Sequence, residues 1–269
     1  MTLRTYQGWA RHAERPSHRY LGWLTWISVF ATVLAQIFFP ILTGVNQHLD
    51  LALGIIAAAT VALAHSSREF GSKYAVILGV VALLSGFVIF DFSARTAWPF
   101  GHVVYSSSLG PNIDEAPVLL VVATLAVIYP MLLLGRRLSI RWTAIVGGFG
   151  FLALDLLADP VLNHNAYWTW DQHVTRTPGF PGTPLSNTAG MLLIGLALVQ
   201  VLHWLLPRER DRSSRPVSSG PIDVLLLGGF LAGVFNNFRL QHMNAALIGG
   251  GLYLILLTPY LISKWLARA

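Results

Sequence analysis

Apolar residues in this chain come in long, nearly unbroken runs. Eight of them, near residues 22–43, 48–65, 73–92, 117–134, 142–158, 187–206, 221–238 and 244–263, approach the roughly 20 residues that a helix needs to cross a bilayer. The second, fourth and fifth runs are short, so their boundaries are open by several residues. The last two are separated only by the polar stretch "NNFRLQHMN" (236–244) and could form one re-entrant hairpin. The pattern therefore predicts an all-α, polytopic integral membrane helix bundle of eight (seven to eight) transmembrane helices. It forms a single integral membrane domain over 1–269. Two segments between runs, 93–116 and 159–186, are long and rich in Trp, Tyr, Phe and Pro. That composition disfavours disorder, and both are expected to fold as a cap over the bundle.

Composition sharpens the picture. Only 11% of the 269 residues are charged, against roughly 25% in soluble domains, and the mean hydropathy is +0.59. Cysteine is absent, which removes disulfides, thiolate metal sites and cysteine nucleophiles. The net charge of +6 could point to nucleic acid, but its distribution points elsewhere. Of the 18 Lys and Arg, only Arg95, Arg176 and Arg239 fall on one side of the predicted spans. The other fifteen, including Arg4, Arg11, Arg15, Arg68, Arg136, Arg137, Arg208, Arg210, Arg212, Arg215, Lys264 and Arg268, fall on the opposite side. By the positive-inside rule both termini are cytoplasmic and the two long loops lie outside. No nucleic-acid partner is expected. "VFATVLAQ" (29–36) could end a cleaved signal peptide, but the apolar run continues to Leu42, so an uncleaved first helix is expected. The stretch 208–221 reads as a solvated cytoplasmic loop. Gly147, Gly150, Gly229 and Gly233 are spaced to let helices approach closely.

Candidate chemistry collects in "DLLADPVLNHNAYWTWDQ" (155–172). Asp155 and Asp159 stand at i and i+4, on one helix face about 6 Å apart along the axis if the helix continues. Intramembrane acids are seldom idle. Burial and the negative end of the helix dipole both favour a carboxylic acid that holds its proton, the form a general acid needs. The structural alternative for Asp159-Pro160 is an N-cap followed by proline at the start of a short helix. Tyr167, Trp168 and Trp170 could equally be an interfacial aromatic belt. His164 and His173 read more readily as loop hydrogen-bonders than as ligands. Asp91, ending the third span, is either a partner acid or a marker of the water interface. No metal is expected: the nine histidines are scattered, and D-x-x-x-D lacks the second acidic cluster and the basic residues that a Mg-diphosphate prenyltransferase requires.

Two blocks, "RTAWPFGHVVYSSSLGPNIDEAPVLLVVATLAVIYP" and "ALDLLADPVLNHNAYWTWD" followed by "FPGTPLSNTAG", resemble the membrane-bound carotenoid biosynthesis family of acyclic-carotenoid hydratases. That family includes the bisanhydrobacterioruberin and gamma-carotene 1'-hydratases. The resemblance rests on Thr96, Pro99, Phe100, Gly101, Tyr105, Leu109, Gly110, Pro111 and Pro117. It rests also on Asp155, Asp159, Pro160, Trp168, Trp170, Gly182, Pro184, Asn187 and Gly190, and it covers about 95–191. The chain departs from the family pattern at Val103 (tyrosine expected), Ala97 and Glu115 (glycine), and Thr124, Leu154 and Met191 (tryptophan). It therefore resembles a divergent member. A pI near 10.0 is unlike the acidic surfaces of haloarchaeal members and implies a bacterial host, hence the bacterial cytoplasmic membrane.

The resemblance implies a carotenoid hydratase, a hydro-lyase that adds water to the terminal C=C of an acyclic carotenoid through a tertiary carbocation, with no cofactor. Its partners would be a lipophilic polyene, water, membrane lipid and other enzymes of carotenoid biosynthesis. Asp155 or Asp159 would donate the proton. Tyr105, Trp168 and Trp170 would shelter the cation through their π faces, and Asn187 and His164 would orient water. Tyr167, Phe100 and Asp91 complete the substrate-facing set. Two other classes remain: a cofactor-free cyclase or isomerase of terpenoid end groups using the same acid, and a non-enzymatic carotenoid- or lipid-binding membrane protein or carrier. A carrier would place its acids near the midplane on broken helices.

Overall fold

A computed structural model describes residues 17–171, 173–207 and 219–266. The arginines at 4, 11, 15, 208, 210, 212, 215 and 268, and most of the loop 208–221, lie outside the described residues. All eight apolar runs form helices long and apolar enough to cross a membrane: α1 (Ser17–Phe38), α2 (Gly44–Phe70), α3 (Ser72–Thr96), α4 (Val118–Leu138), α5 (Thr143–His164), α6 (Leu185–Leu205), α7 (Gly220–Arg239) and α8 (Ala245–Leu266). The three short runs, whose boundaries were open, become helices of 27, 21 and 22 residues, because helix propagation continues past the apolar stretch wherever a polar residue can reach water. The final pair separates into two helices of 20 and 22 residues, each able to cross by itself, so the re-entrant alternative is not adopted.

α4 is the central helix. It is mostly buried and packs against α2, α3 and α5, while α5 also contacts α6, α7 and α8. One apolar core joins Leu125, Ile128 and Leu132 of α4 to Leu78 of α3, Leu157 of α5, Leu202 of α6 and Tyr253 of α8. Close helix approach is bought by small residues. A Cβ on Gly147 would sit 2.8 Å from the Met131 carbonyl oxygen, and one on Gly233 would sit 2.8 Å from Leu157 Cβ. Gly229 differs from this expectation: it meets only an ordinary contact with Leu154 and opens onto a cavity. Between α2 and α3 the chain reverses at Gly71 alone, whose φ of +91° is available to glycine without a Cβ penalty.

Both long loops fold onto the same end of the bundle. Strand β1 (Val103–Tyr105) pairs antiparallel with β4 (Trp168–Trp170), matching Tyr105 to Trp168 and Val103 to Trp170. Short ladders β2 (Asn112–Ile113) with β3 (Ala116–Pro117), and β5 (Arg176–Thr177) with β6 (Phe180–Pro184), complete the cap. Ser186 at the start of α6 donates to the Phe100 carbonyl (2.8 Å), tying the first loop to the helix that follows the second.

One expectation about the acidic segment is overturned. Asp159-Pro160 caps no new helix, because α5 runs through Pro160 to His164. Asp155 thus stands more than two turns from the helix end and Asp159 more than one. Helix-end charge acts within the last turn, so the dipole has little hold on either residue, and burial is the stronger influence.

Candidate functional site

The W-x-W spacing explains the centre of the site. Residues two apart on a strand face the same way, so Trp168 and Trp170 both turn inward and both indole N–H groups donate to Asp159 Oδ1, at 2.8 and 3.1 Å. Thr183 of β6 donates its hydroxyl to Asp159 Oδ2. Three donors from two strands thereby converge on one carboxylate that is 1% exposed. These tryptophans hold a carboxylate, which the aromatic-belt alternative does not account for. Exposed tryptophans do sit near the other end of the bundle: Trp23 and Trp142 near the starts of α1 and α5, and Trp204 and Trp265 near the ends of α6 and α8.

One turn earlier on α5, Asp155 is set differently. Asn187, fully buried in the first turn of α6, donates to Asp155 Oδ2 at 3.2 Å, and no described residue donates to the Asn187 Oδ1 atom. Asp155 lies in the wall of an apolar cavity of about 360 Å³ that reaches residues of every helix. Phe90, Pro130, Leu162, Trp168 and Tyr253 are among its walls. Asp159 is not among them; it backs Asp155 from behind the wall.

The remaining expected residues distribute around this centre. Tyr105 faces Trp168 across the ribbon and meets Phe90 edge-on at 6.4 Å, and burial pushes its phenol upward. Phe100 is buried behind Phe90, with ring centroids 6.1 Å apart. Tyr167 is fully buried, stacks on Phe39, and shares a 3.0 Å hydrogen bond with His48 Nδ1. Burial first, and the nearby Asp50 charge second, push the Tyr167 phenol up to about 12. His164 does not reach the apolar cavity. It packs edge-on against His242 (5.4 Å) in a second, more polar cavity of about 260 Å³ that also touches Thr183. Asp91 is set apart: it pairs with Arg95 (2.9 Å) and accepts the Glu115 backbone N–H (3.1 Å), while Arg95 also pairs with Asp114. That is the interfacial placement, away from Asp155. His173 lies in the exposed loop, its backbone N–H on Asp171.

Thr183, Asp50, Phe90 and Asn236 contribute to the site without having been singled out by sequence. Asp50 carried a usable signal, an acid inside an apolar run, as at Asp155. Asn236 and Phe90 carried none, since an amide at a helix end and a phenylalanine in a membrane span are ordinary. All three positions where tryptophan was expected, Thr124, Leu154 and Met191, line the cavity. No group of three or more His, Asp or Glu side chains among the described residues is placed to hold a metal ion.

Fold and site together define a helical membrane protein in which paired carboxyls stand beside an apolar cavity under a folded cap. A family model described as carotenoid biosynthesis protein matches residues 47–256, from α2 into α8, and the chain belongs to that family. No curated protein and no solved structure matches the chain.

Proposed function

We propose that this protein is a carotenoid hydratase: it protonates the terminal C=C of an acyclic carotenoid end group, and water captures the resulting tertiary carbocation. The observation that carries this reading is the placement of Asp155 in the wall of an otherwise apolar cavity, with a carboxylate held by three donors one turn behind it. Two charges one helical turn apart, one in the apolar wall and one buried behind it, repel strongly, so the pair shares one proton. The donors on Asp159 suit an anion, which leaves the proton on Asp155. Asp155 is thus the general acid and Asp159 the residue that keeps it neutral and in place. Trp168 and Phe90 on the cavity wall, with Tyr105 behind, present π faces to the cation.

The whole chain would act as one integral membrane domain, in a bacterial cytoplasmic membrane with both termini cytoplasmic and the cap outside. Support comes from the antiparallel alternation of the eight helices, which puts Arg68, Arg136, Arg137 and Lys264 at the end opposite Arg95, Arg176 and Arg239. The test is expression in a lycopene-producing host with mass analysis of the pigments. Hydration adds about 18 Da, whereas cyclisation or isomerisation by the same general acid adds nothing. Asp155→Asn should lower conversion at least about 100-fold with the protein still folded. Full activity in that variant would rule out the acid assignment, and a product of unchanged mass would move the reading to a cyclase or isomerase.

A further inference from the structure

The apolar cavity contains polar atoms that the proton-donating pair does not use. Asp50, on α2, lies in its wall, and its Oδ2 atom is buried with no described residue donating to it. Asn236, at the end of α7, lies in the same wall and is 5% exposed; its amide nitrogen is engaged by the Ala232 carbonyl (2.9 Å), and its Oδ1 atom is likewise buried without a donor. Buried acceptors left without donors are uncommon and costly. Both atoms are acceptors, so what satisfies them must donate. A hydrocarbon end group has no O–H or N–H to offer. Water, the other reactant, has two.

We propose that Asp50 and Asn236 form the water subsite of this cavity, and that the Asp50 carboxylate is the base that takes the proton released when water is captured. This rests on the hydration reading and adds a second carboxyl with the opposite role. The alkene π pair forms a C–H bond with the Asp155 proton, leaving Asp155 anionic and the tertiary carbon electron-deficient. A lone pair of the water held by Asp50 and Asn236 then forms the C–O bond. One O–H bond of that water breaks, its electron pair stays on oxygen, and the proton passes to Asp50. The sum is alkene plus water to tertiary alcohol. Return of one proton from Asp50 to Asp155 restores both groups, and nothing is oxidised or reduced. Separate carboxyls for giving and taking the proton let water approach from a different wall than the acid, as in reactions where an acid and a base flank the reacting centre. Tyr167, whose phenol feels the Asp50 charge and is hydrogen-bonded to His48, lies beside the subsite on the cap side.

The experiment compares wild type, Asp50→Asn, Asn236→Leu and Asp155→Asn in cells making an acyclic polyene, grown in D2O after the polyene has accumulated. Membrane level and monodispersity of each protein are measured alongside. Wild type should give the hydrated product. Asp50→Asn should still form the cation, but with its capture impaired. Hydrated product should fall about 100-fold, while an isomer of unchanged carbon skeleton, carrying one deuteron at the end group, rises. Asn236→Leu should shift the same ratio in the same direction, and Asp50→Glu, which restores a base, should recover part of the hydrated product. Asp155→Asn should give neither product nor label. A purely structural role for Asp50 would lower both products together and leave their ratio unchanged. If Asp50→Asn fails to accumulate, Asp50→Ser is measured in its place by the same ratio. A wild-type ratio in the Asp50 variants overturns the water subsite and leaves the hydratase reading standing. No hydrated product from wild type overturns that reading and the subsite with it.

Discussion

Ala97 closes α3 in the left-handed region, with φ at 60°, its N–H on the Ser93 carbonyl (2.8 Å) and its own carbonyl accepting from Gly101 (2.7 Å). Glycine is the residue expected at this position on the family pattern, and the reason is physical. An L side chain at that φ crowds the following carbonyl, at a cost of about 1 kcal/mol. Ala97→Gly should therefore raise stability by roughly that amount, measured as a higher unfolding temperature in detergent, and should leave conversion unchanged. Trp168→Phe and Trp170→Phe test the other side of residue-level reasoning. Each keeps a ring but deletes an N–H that reaches Asp159. Each should lower conversion about tenfold without changing the mass of the product. Unchanged rates in both would mean that Asp159 needs no such anchoring.

Arg136 shows what is decided between helices. Counted by sequence as one more positive charge flanking a span, it is 5% exposed and reaches across to the end of α6. There its guanidinium donates to the carbonyls of Leu206 (2.8 Å) and Pro207 (2.8 Å) and to Tyr74 of α3 (3.3 Å). Helix ends leave carbonyls unsatisfied, and this side chain satisfies them from outside. Arg136→Met should destabilise the protein by about 2–4 kcal/mol, because those carbonyls lose their donor where water reaches poorly. Thermal unfolding in detergent is the measurement. At the cap end, α5 and the turn into α8 meet through His164 and His242. Burial, then the neighbouring His164, pushes the His242 imidazole below its ordinary 6.5. A lowered histidine resists protonation in the fold while the unfolded chain accepts it. Stability should thus be flat above that value and fall as pH drops below it. Unfolding temperatures at about pH 8 and about pH 5 should show this loss, and it should shrink in His242→Gln.

For the molecule as a whole, the cavity is the feature that every helix helps to build, and its size depends on three residues smaller than the family pattern expects. Thr124, Leu154 and Met191 stand on α4, α5 and α6, and all three face that space. Leu154→Trp should fill part of it. Overpacking would cost about 1–3 kcal/mol, so the protein should still fold, while conversion of a full-length acyclic polyene should fall at least about tenfold because the end group no longer reaches Asp155. Pigment analysis after expression reads the first effect, and thermal unfolding the second. If conversion is unchanged, the end group does not occupy this cavity.

Helix number and approximate helix ends were legible in the sequence, because in a bilayer every backbone polar group must be satisfied within its own segment. A long apolar run therefore has one outcome. That Asp155 and Asp159 are out of place was legible for a related reason, since a carboxyl in an oily run is costly. Their different surroundings were not. Whether a carboxyl faces a cavity or three donors depends on strands and helices far apart in sequence: Trp168 and Trp170 on one strand, Thr183 on another, Asn187 at the start of α6. The same holds for Asp50 and Asn236, whose buried oxygens have no donor among the described residues and line one space only because α2 and α7 close around it. Local physics determined which segments cross and where charge was out of place. Tertiary packing alone decided which of those charges open onto the cavity.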